Sequence, residues 1–171
     1  RYLYDDFGRK ISGTAPDTGT TSYSYDPVGN LLSTTDAMGR SVSFSYDALN
    51  RPISRSSGLV FTYDQGVMAI GRLSGITDGE GTVSFTYDGN GRLATETRTI
   101  GTASYSTGYS WDPATGDLAG MTYPSGMVLI YSRDAAGRIT AIQAGTTPLI
   151  SAVSHLPFGP WKAASLGAVN L

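Results

Sequence analysis

The chain has 171 residues, a net charge of −2 and no cysteine. The missing cysteines exclude disulfides and thiolate metal sites, and the mixed charges leave no basic stripe of the kind nucleic acid requires. No apolar run is long enough for a helical membrane span, and no signal peptide is visible.

One phrase recurs along the chain: an aromatic, Asp, two variable residues, Gly, Arg and an apolar residue. It first reads YDDFGRK (4–10), with Tyr4, Asp5, Gly8 and Arg9. It returns as YDPVGNL (25–31), with Tyr25, Asp26 and Gly29, and as YDALNRP (46–52), with Tyr46, Asp47, Asn50 and Arg51. Between these lies a half-period echo, TDAMGR (35–40), carrying Asp36, Gly39 and Arg40. At YDQG (63–66) the copy starting with Tyr63 and Asp64 loses register, and its GRL arrives only at 71–73, which predicts a wide loop over 64–72. A second echo, TDGEGT (77–82), precedes YDGNGRL (87–93), which holds Tyr87, Asp88, Gly91 and Arg92. WDPATGDL (111–118) supplies Trp111, Asp112 and Gly116, a weaker echo is TYPSGM (122–127), and RDAAGRI (133–139) supplies Asp134, Gly137 and Arg138. A fixed period of this kind identifies a repeat architecture.

The residues between the phrases alternate. Val42, Phe44 and Tyr46 fall on one side and Ser41, Ser43 and Ser45 on the other; Val83, Phe85 and Tyr87 alternate with Thr82, Ser84 and Thr86. Leu59, Phe61 and Tyr63 repeat the pattern, which is that of strands with one buried face. The phrase itself is a turn: Asp accepts backbone N–H bonds two or three residues on, and Gly (or Asn50) supplies a positive φ. The following Arg reaches back to a carboxylate on its own or a neighbouring turn, an exposed pair worth about 0–1 kcal/mol. There are 12 Asp against 2 Glu and 10 Arg against 2 Lys, whereas a helical chain would favour Glu and Lys.

The expected fold is therefore all-β: a repetitive antiparallel hairpin array, one continuous repeat region over 1–171 and a piece of a larger protein. At ten or eleven residues per strand and turn it holds about sixteen strands, a sheet roughly 75 Å long. The segments 14–22 and 98–108 read as polar loops or weak strands. The best helical candidate is the tail 161–169. An aromatic face of this size needs a cover: neighbouring coils, another copy or a contained guest.

These phrases resemble the bacterial Rhs/YD-repeat family. YDPVGNLLSTTDAMGRSVSFSYDALNRP (25–52) is close to an ideal double repeat, and YPSGMVLIYSRDAAGRITAI (123–142) and LPFGPWKAASLG (156–167) are similar to the family's later segments. The resemblance implies a large sheet that spirals into a hollow shell. In bacterial members the shell encloses a variable C-terminal toxin; related repeats occur in animal teneurins, which are adhesion proteins. The family's DPxGL self-cleavage element and a toxin domain are absent from these residues, so only a wall role carries over. The partners implied are the rest of the parent shell and an enclosed toxin polypeptide, with self-association through open sheet edges. The location implied is secreted or at the bacterial cell surface. A second reading makes the array an adhesive module that displays Tyr, Asp and Arg to glycans.

The other chemical signals have simpler explanations. GNGRLA (89–94) fits a loose dinucleotide-binding pattern but lies inside a repeat with no helix after it. One Asp per turn is too few for calcium, which wants several converging oxygens. His155 is the only histidine and has no partners for nucleophilic catalysis. Turn aspartates are normally exposed, unlike a glycosidase acid whose pKa burial raises. No catalytic residue, cofactor or metal is expected. The aromatics, including Tyr109 and Tyr131, read as a cross-strand ladder, with sugar or peptide stacking as the alternative.

Overall fold

The computed structural model describes residues 1–157, 159–167 and 169–170. Phe158 and Ala168, which belong to the stretches singled out above, lie outside the described residues. The described residues contain strands and turns and no helix. The strands are β1 (Tyr2–Tyr4), β2 (Lys10–Ala15), β3 (Gly19–Tyr25), β4 (Leu31–Thr35), β5 (Ser41–Tyr46), β6 (Pro52–Arg55), β7 (Leu59–Tyr63), β8 (Leu73–Thr77) and β9 (Gly81–Tyr87). They continue with β10 (Leu93–Ile100), β11 (Ala103–Trp111), β12 (Leu118–Thr122), β13 (Val128–Arg133), β14 (Ile139–Ala144), β15 (Thr147–His155), β16 (Trp161–Leu166) and β17 (Val169–Asn170).

The chain forms two compact units, residues 1–65 with 70–82, and residues 66–69 with 83–171. In the first, β1 to β8 pair antiparallel, each with the next. In the second, β9 pairs with β10 and the same order runs on to β17. Every partner is a sequence neighbour, so the ladders form through short loops of low closure cost.

Two kinds of hairpin alternate. At six of the phrase turns the ladder slips by one residue next to the anchor. The slips fall at Leu3/Tyr4, Ser24/Tyr25, Ser45/Tyr46 and Thr62/Tyr63, then at Ser110/Trp111 and Ser132/Arg133. The half-period turn after Thr35 and the one after Thr122 close without a slip. A bulge bends its strand and raises the local twist. These six bulges sit at the phrase end of the hairpins, while the pairing of β14 with β15 also slips at Ile142/Gln143 and that of β15 with β16 on either side of Ser154.

The two faces differ chemically. One carries rows of hydroxyls that bond across the strands: Thr14 with Thr20 (2.8 Å), Ser24 with Ser33 (2.7 Å), Thr35 with Ser41 (2.7 Å) and Thr97 with Ser106 (2.7 Å). Ser45 and Ser54 continue the row. The opposite face carries Tyr23, Tyr25, Phe44, Tyr46, Phe61 and Tyr63, all half-buried. Among the described hydrophobic residues only Ala69, Leu129 and Val153 are fully buried. The aromatics shelter one another and their backbone; within each unit there is no second layer over them.

Three local expectations change. The tail from Trp161 to Leu166 is a strand paired with β15, because its apolar residues gain more from the ladder than a helix carrying Gly167 would. The segments 14–22 and 98–108, expected as polar loops or weak strands, are each two strand ends joined by a tight turn, at 16–18 and 101–102, since Thr and Ser suit a pleated surface whose hydroxyls pair across it. The described residues hold seventeen strands where about sixteen were expected, since β17 adds a short hairpin at the end. The wide loop over 64–72 is present, closed by the Asp64 N–H donating to the Arg72 carbonyl at 3.1 Å.

Candidate functional site

The repeated turns are the candidate site, and the one at Asp47 shows their construction. The Asp47 N–H donates to the Arg51 carbonyl and the Asn50 N–H to the Asp47 carbonyl, each at 3.0 Å. Asn50 closes the turn in the left-handed region, φ 61°, a place asparagine tolerates better than most residues. Asp47 Oδ1 accepts the N–H groups of Leu49 and Arg51, both at 2.9 Å. Its Oδ2 accepts Arg51 Nε at 2.7 Å. The carboxylate is thus consumed by three donors within its own turn.

The same arrangement occurs at Asp5 with Arg9, Asp36 with Arg40, Asp88 with Arg92 and Asp134 with Arg138. Asp26 keeps it with Asn30 in the arginine's place, the amide donating at 2.9 Å. The backbone N–H of the following arginine, opposed by partial desolvation and helped by the guanidinium, holds Asp36, Asp47 and Asp88 below the usual carboxylate range. The Asp47–Arg51 pair is half-buried, each side chain 22% accessible, whereas Arg40 beside Asp36 is 73% accessible.

At four copies the residue in the arginine position also ties its turn to the next. Arg9 donates to the Asp26 carbonyl at 2.8 Å, and Asn30 to Asn50 Oδ1 at 2.8 Å. Arg51 forks onto Asp64 at 3.2 and 2.7 Å, and Arg92 reaches the Asp112 carbonyl at 3.4 Å. On the way, each guanidinium passes the next aromatic anchor: Arg51 lies 4.3 Å from the Tyr63 ring, Arg9 5.0 Å from Tyr25 and Arg92 5.6 Å from Trp111. Such contacts are attractive through the ring quadrupole.

The anchor aromatic closes the link in the other direction. Tyr25 Oη donates to the Lys10 carbonyl (2.9 Å), Tyr46 Oη to Leu31 (3.0 Å), Tyr63 Oη to Pro52 (2.9 Å) and Trp111 Nε1 to Leu93 (2.8 Å). In every case the acceptor is the residue just after the arginine position of the preceding copy. The ladder expected from sequence is therefore also a set of polar latches. The separation from acceptor to anchor is 15 residues for Tyr25 and Tyr46 but 11 for Tyr63 and 18 for Trp111, so no fixed spacing in the sequence announces the latch.

Several copies depart from the pattern. Asp64 takes φ 63° and its turn runs out to Gly71, whose N–H donates to Asp64 Oδ1 at 2.6 Å. The Asp112 turn is one residue longer, and Asp117 stands where arginine would. In the next copy Arg133 stands where the aromatic would, and it makes the aromatic's bond, to the Leu118 carbonyl at 3.2 Å. Its second donor reaches Gly137 at 3.0 Å, and its buried Nε has no partner. A cleft of about 310 Å³ opens there, lined by Asp112, Asp117, Arg133 and Asp134 among others. The exchanged residues are legible in ATGDL and SRDAAGR once the copies are aligned. The turn after Thr122 keeps the backbone bonds, Tyr123 N–H to Met127 (2.8 Å) and Gly126 N–H to Tyr123 (2.9 Å), with Tyr123 in the Asp place.

GNGRLA forms the Asp88 turn and the start of β10, and His155 ends β15 opposite Trp161. Among the described residues no group of three or more His, Asp or Glu side chains is placed to hold a metal ion. The carboxylates of Asp5, Asp26, Asp36, Asp47, Asp88 and Asp134 are spent on donors within their own turns.

An array of antiparallel hairpins closed by Asp–Arg turns and latched by aromatic anchors defines a repeat protein of structural type. The RHS Repeat family matches residues 4–37, 25–59, 68–103 and 111–147, and the chain belongs to that family. No curated protein sequence matches it. Among solved structures, the TcdB2-TccC3 crystal structure superposes with a TM-score of 0.83 at 15% identity, covering 96% of this chain and 10% of that one. A Photorhabdus luminescens Tc holotoxin pore structure gives 0.83 at 16% identity, covering 97% and 10%. A TcdB2-TccC3-Cdc42 structure gives 0.80 at 16%, covering 96% and 10%. The chain thus spans about a tenth of the length of these relatives.

Proposed function

We propose that this chain is a segment of the wall of an Rhs-type shell, and that the shell encloses a toxic polypeptide carried by the same protein. The observation that carries this is the latch between successive copies. A wall must resist sliding and splitting between hairpins, and at Arg9 with Tyr25, Arg51 with Tyr63 and Arg92 with Trp111 one copy is tied to the next by a guanidinium, a ring and a bond to a carbonyl. The superposition on TccC3-containing toxin structures supports the same reading. The wall has no chemical step; it acts by excluding solvent, proteases and partners from what it contains. The protein would be secreted or displayed at a bacterial surface.

Limited proteolysis of the full-length parent tests this. The expected result is a C-terminal polypeptide that survives protease while the wall is intact and is digested once Arg51→Ala and Arg92→Ala open two latches. Equal digestion before and after would overturn the proposal.

A further inference from the structure

Where the repeat is regular, a guanidinium sits between one turn and the next. Arg9 lies between the Asp5 carboxylate (2.7 Å) and the Asp26 carbonyl (2.8 Å), with the Tyr25 ring 5.0 Å away. Arg51 lies between the carboxylates of Asp47 and Asp64, each at 2.7 Å, and Arg92 between Asp88 (2.8 Å) and the Asp112 carbonyl (3.4 Å). From the Asp112 turn to the Asp134 turn the chain supplies no such cation. Asp117 stands in the arginine position, half-buried, and among the described residues its carboxylate makes no hydrogen bond and no ion pair. Its Oδ2 lies 3.8 Å from where a Cβ on Gly137 would sit, so the carboxylate reaches across to the Asp134 turn. Arg133 does not neutralise it, because its Nη1 and Nη2 groups donate to the carbonyls of Gly137 and Leu118. The cleft of about 310 Å³ lies at this junction, with Asp112, Asp117, Tyr131, Arg133 and Asp134 in its lining. Thr115 and Ala135, also in the lining, are exposed, so the cleft is open to solvent. Three carboxylates (Asp112, Asp117 and Asp134) stand against two guanidinium groups (Arg133 and Arg138), one negative charge in excess. The Asp88–Arg92 pair of the preceding turn balances itself and leaves that excess unchanged.

We propose that this cleft binds an arginine side chain brought by another polypeptide. The acceptors are of the kind the array offers its own guanidinium groups: carboxylates on one turn, the next turn opposite, and an aromatic side chain, Tyr131, beside them. One positive charge closes the excess, whereas an anion would meet three carboxylates. A planar guanidinium with its fork of donors spans acceptors on two turns, which a lysine ammonium does less well. A metal ion fits poorly, since among the described residues no three acidic side chains are placed to hold one. A single side chain binds weakly, with a dissociation constant on the order of millimolar. The contact becomes effective where the arginine belongs to a segment already tethered to the array. This inference rests on the comparison between copies and stands apart from what the array encloses.

Blocked arginine (N-acetyl-arginine amide) and blocked citrulline, which keeps the shape without the charge, are titrated into the isotope-labelled chain while backbone amide shifts are followed. Blocked arginine should shift the amides of Thr115, Asp117 and Gly137, and blocked citrulline should bind roughly tenfold more weakly. The Asp47 turn, where Arg51 already sits, should not respond. Asp117→Asn should weaken the response, and Asp117→Arg, which puts arginine in the repeat's usual position, should abolish it. Unchanged amide shifts in the first unit report that both variants are folded. Equal binding of the two probes, or a response that survives either substitution at full strength, would overturn the proposal. So would a response at the Asp47 turn as large as that at Asp117, which would reduce the effect to a general attraction of cations to turn carboxylates.

Discussion

The first unit is built by repetition and the second by variation. From Asp5 to Asp64 every successive pair of copies is tied by a side chain: Arg9, Asn30, then Arg51. In the second unit Arg92 makes the tie to the Asp112 turn, and then Asp117 stands in an arginine's place and Arg133 in an aromatic's. The anchor's bond to the preceding hairpin survives this exchange, made by a guanidinium instead of a phenol. What is lost is full satisfaction, because Arg133 Nε is left buried without a partner. A buried donor without an acceptor costs about 1–3 kcal/mol. The backbone geometry of the array is thus more tolerant than its side-chain chemistry.

Acid should expose the difference most strongly. Five carboxylates of the first unit (Asp5, Asp26, Asp36, Asp47 and Asp64) and three of the second (Asp88, Asp112 and Asp134) lie below their ordinary range. A folded pKa below the unfolded value gives stability that is present above the unfolded pKa, near 3.9 for Asp. It is lost as pH falls through the folded pKa. Both units should be indifferent to pH from 5 to 8 on this account. Below about pH 4 the first unit should lose protection sooner and more steeply than the second in hydrogen exchange. Equal loss in the two units would show that the turn carboxylates do not set acid stability.

The next largest effect should come from single arginines. Arg51 bridges Asp47 and Asp64 and stacks on Tyr63, whereas Arg138 pairs with Asp134 alone and its side chain is 47% exposed. Arg51→Ala should lower the melting temperature by several degrees and Arg138→Ala by little, as read by calorimetry. Similar shifts would mean that the tie to the next turn adds nothing to the tie within the turn.

Much of this was legible in the sequence because both determinants are local. Asp followed three residues later by Gly or Asn50 specifies the turn, and Val42, Phe44 and Tyr46 against Ser41, Ser43 and Ser45 specify the strand and its faces. The turn salt bridge between Asp47 and Arg51 was also visible from spacing. The tail was misjudged because Trp161 to Leu166 contains alanines that suit either state, and pairing with β15 decides between them. The tie from Arg51 to Asp64 was foreseen only as an option, and the phenol-to-carbonyl latch not at all. Both depend on the one-residue slip beside each anchor, which brings Tyr46 over Leu31. A bulge leaves no composition signal of its own.

Backbone strain gives a smaller and cleaner contrast. Gly29 sits at φ 102° with open space where a Cβ would lie, so Gly29→Ala tests conformation without a clash. It should destabilise by about 1–2 kcal/mol. Ala152, in the irregular pairing of β15 with β16, already sits at φ 51°. Ala152→Gly should therefore stabilise, by about 1 kcal/mol, as measured by denaturant midpoint. A loss of stability there would mean that the alanine methyl packs well enough to outweigh its own strain.

The smallest effect separates the latches themselves. Tyr46 donates to a backbone carbonyl at 3.0 Å, while Tyr131 in the second unit donates to the Met121 sulfur at 3.4 Å. A carbonyl is a strong acceptor and a thioether a weak one. Tyr46→Phe should cost about 1 kcal/mol, because it also strands the Leu31 carbonyl on a half-buried face. Tyr131→Phe should cost only a few tenths of that, because a methionine sulfur loses little when its donor goes. Chemical denaturation of the two variants decides the matter. If both cost the same, the rings alone hold the copies together and the hydroxyls are incidental, which would reduce the latch to aromatic packing.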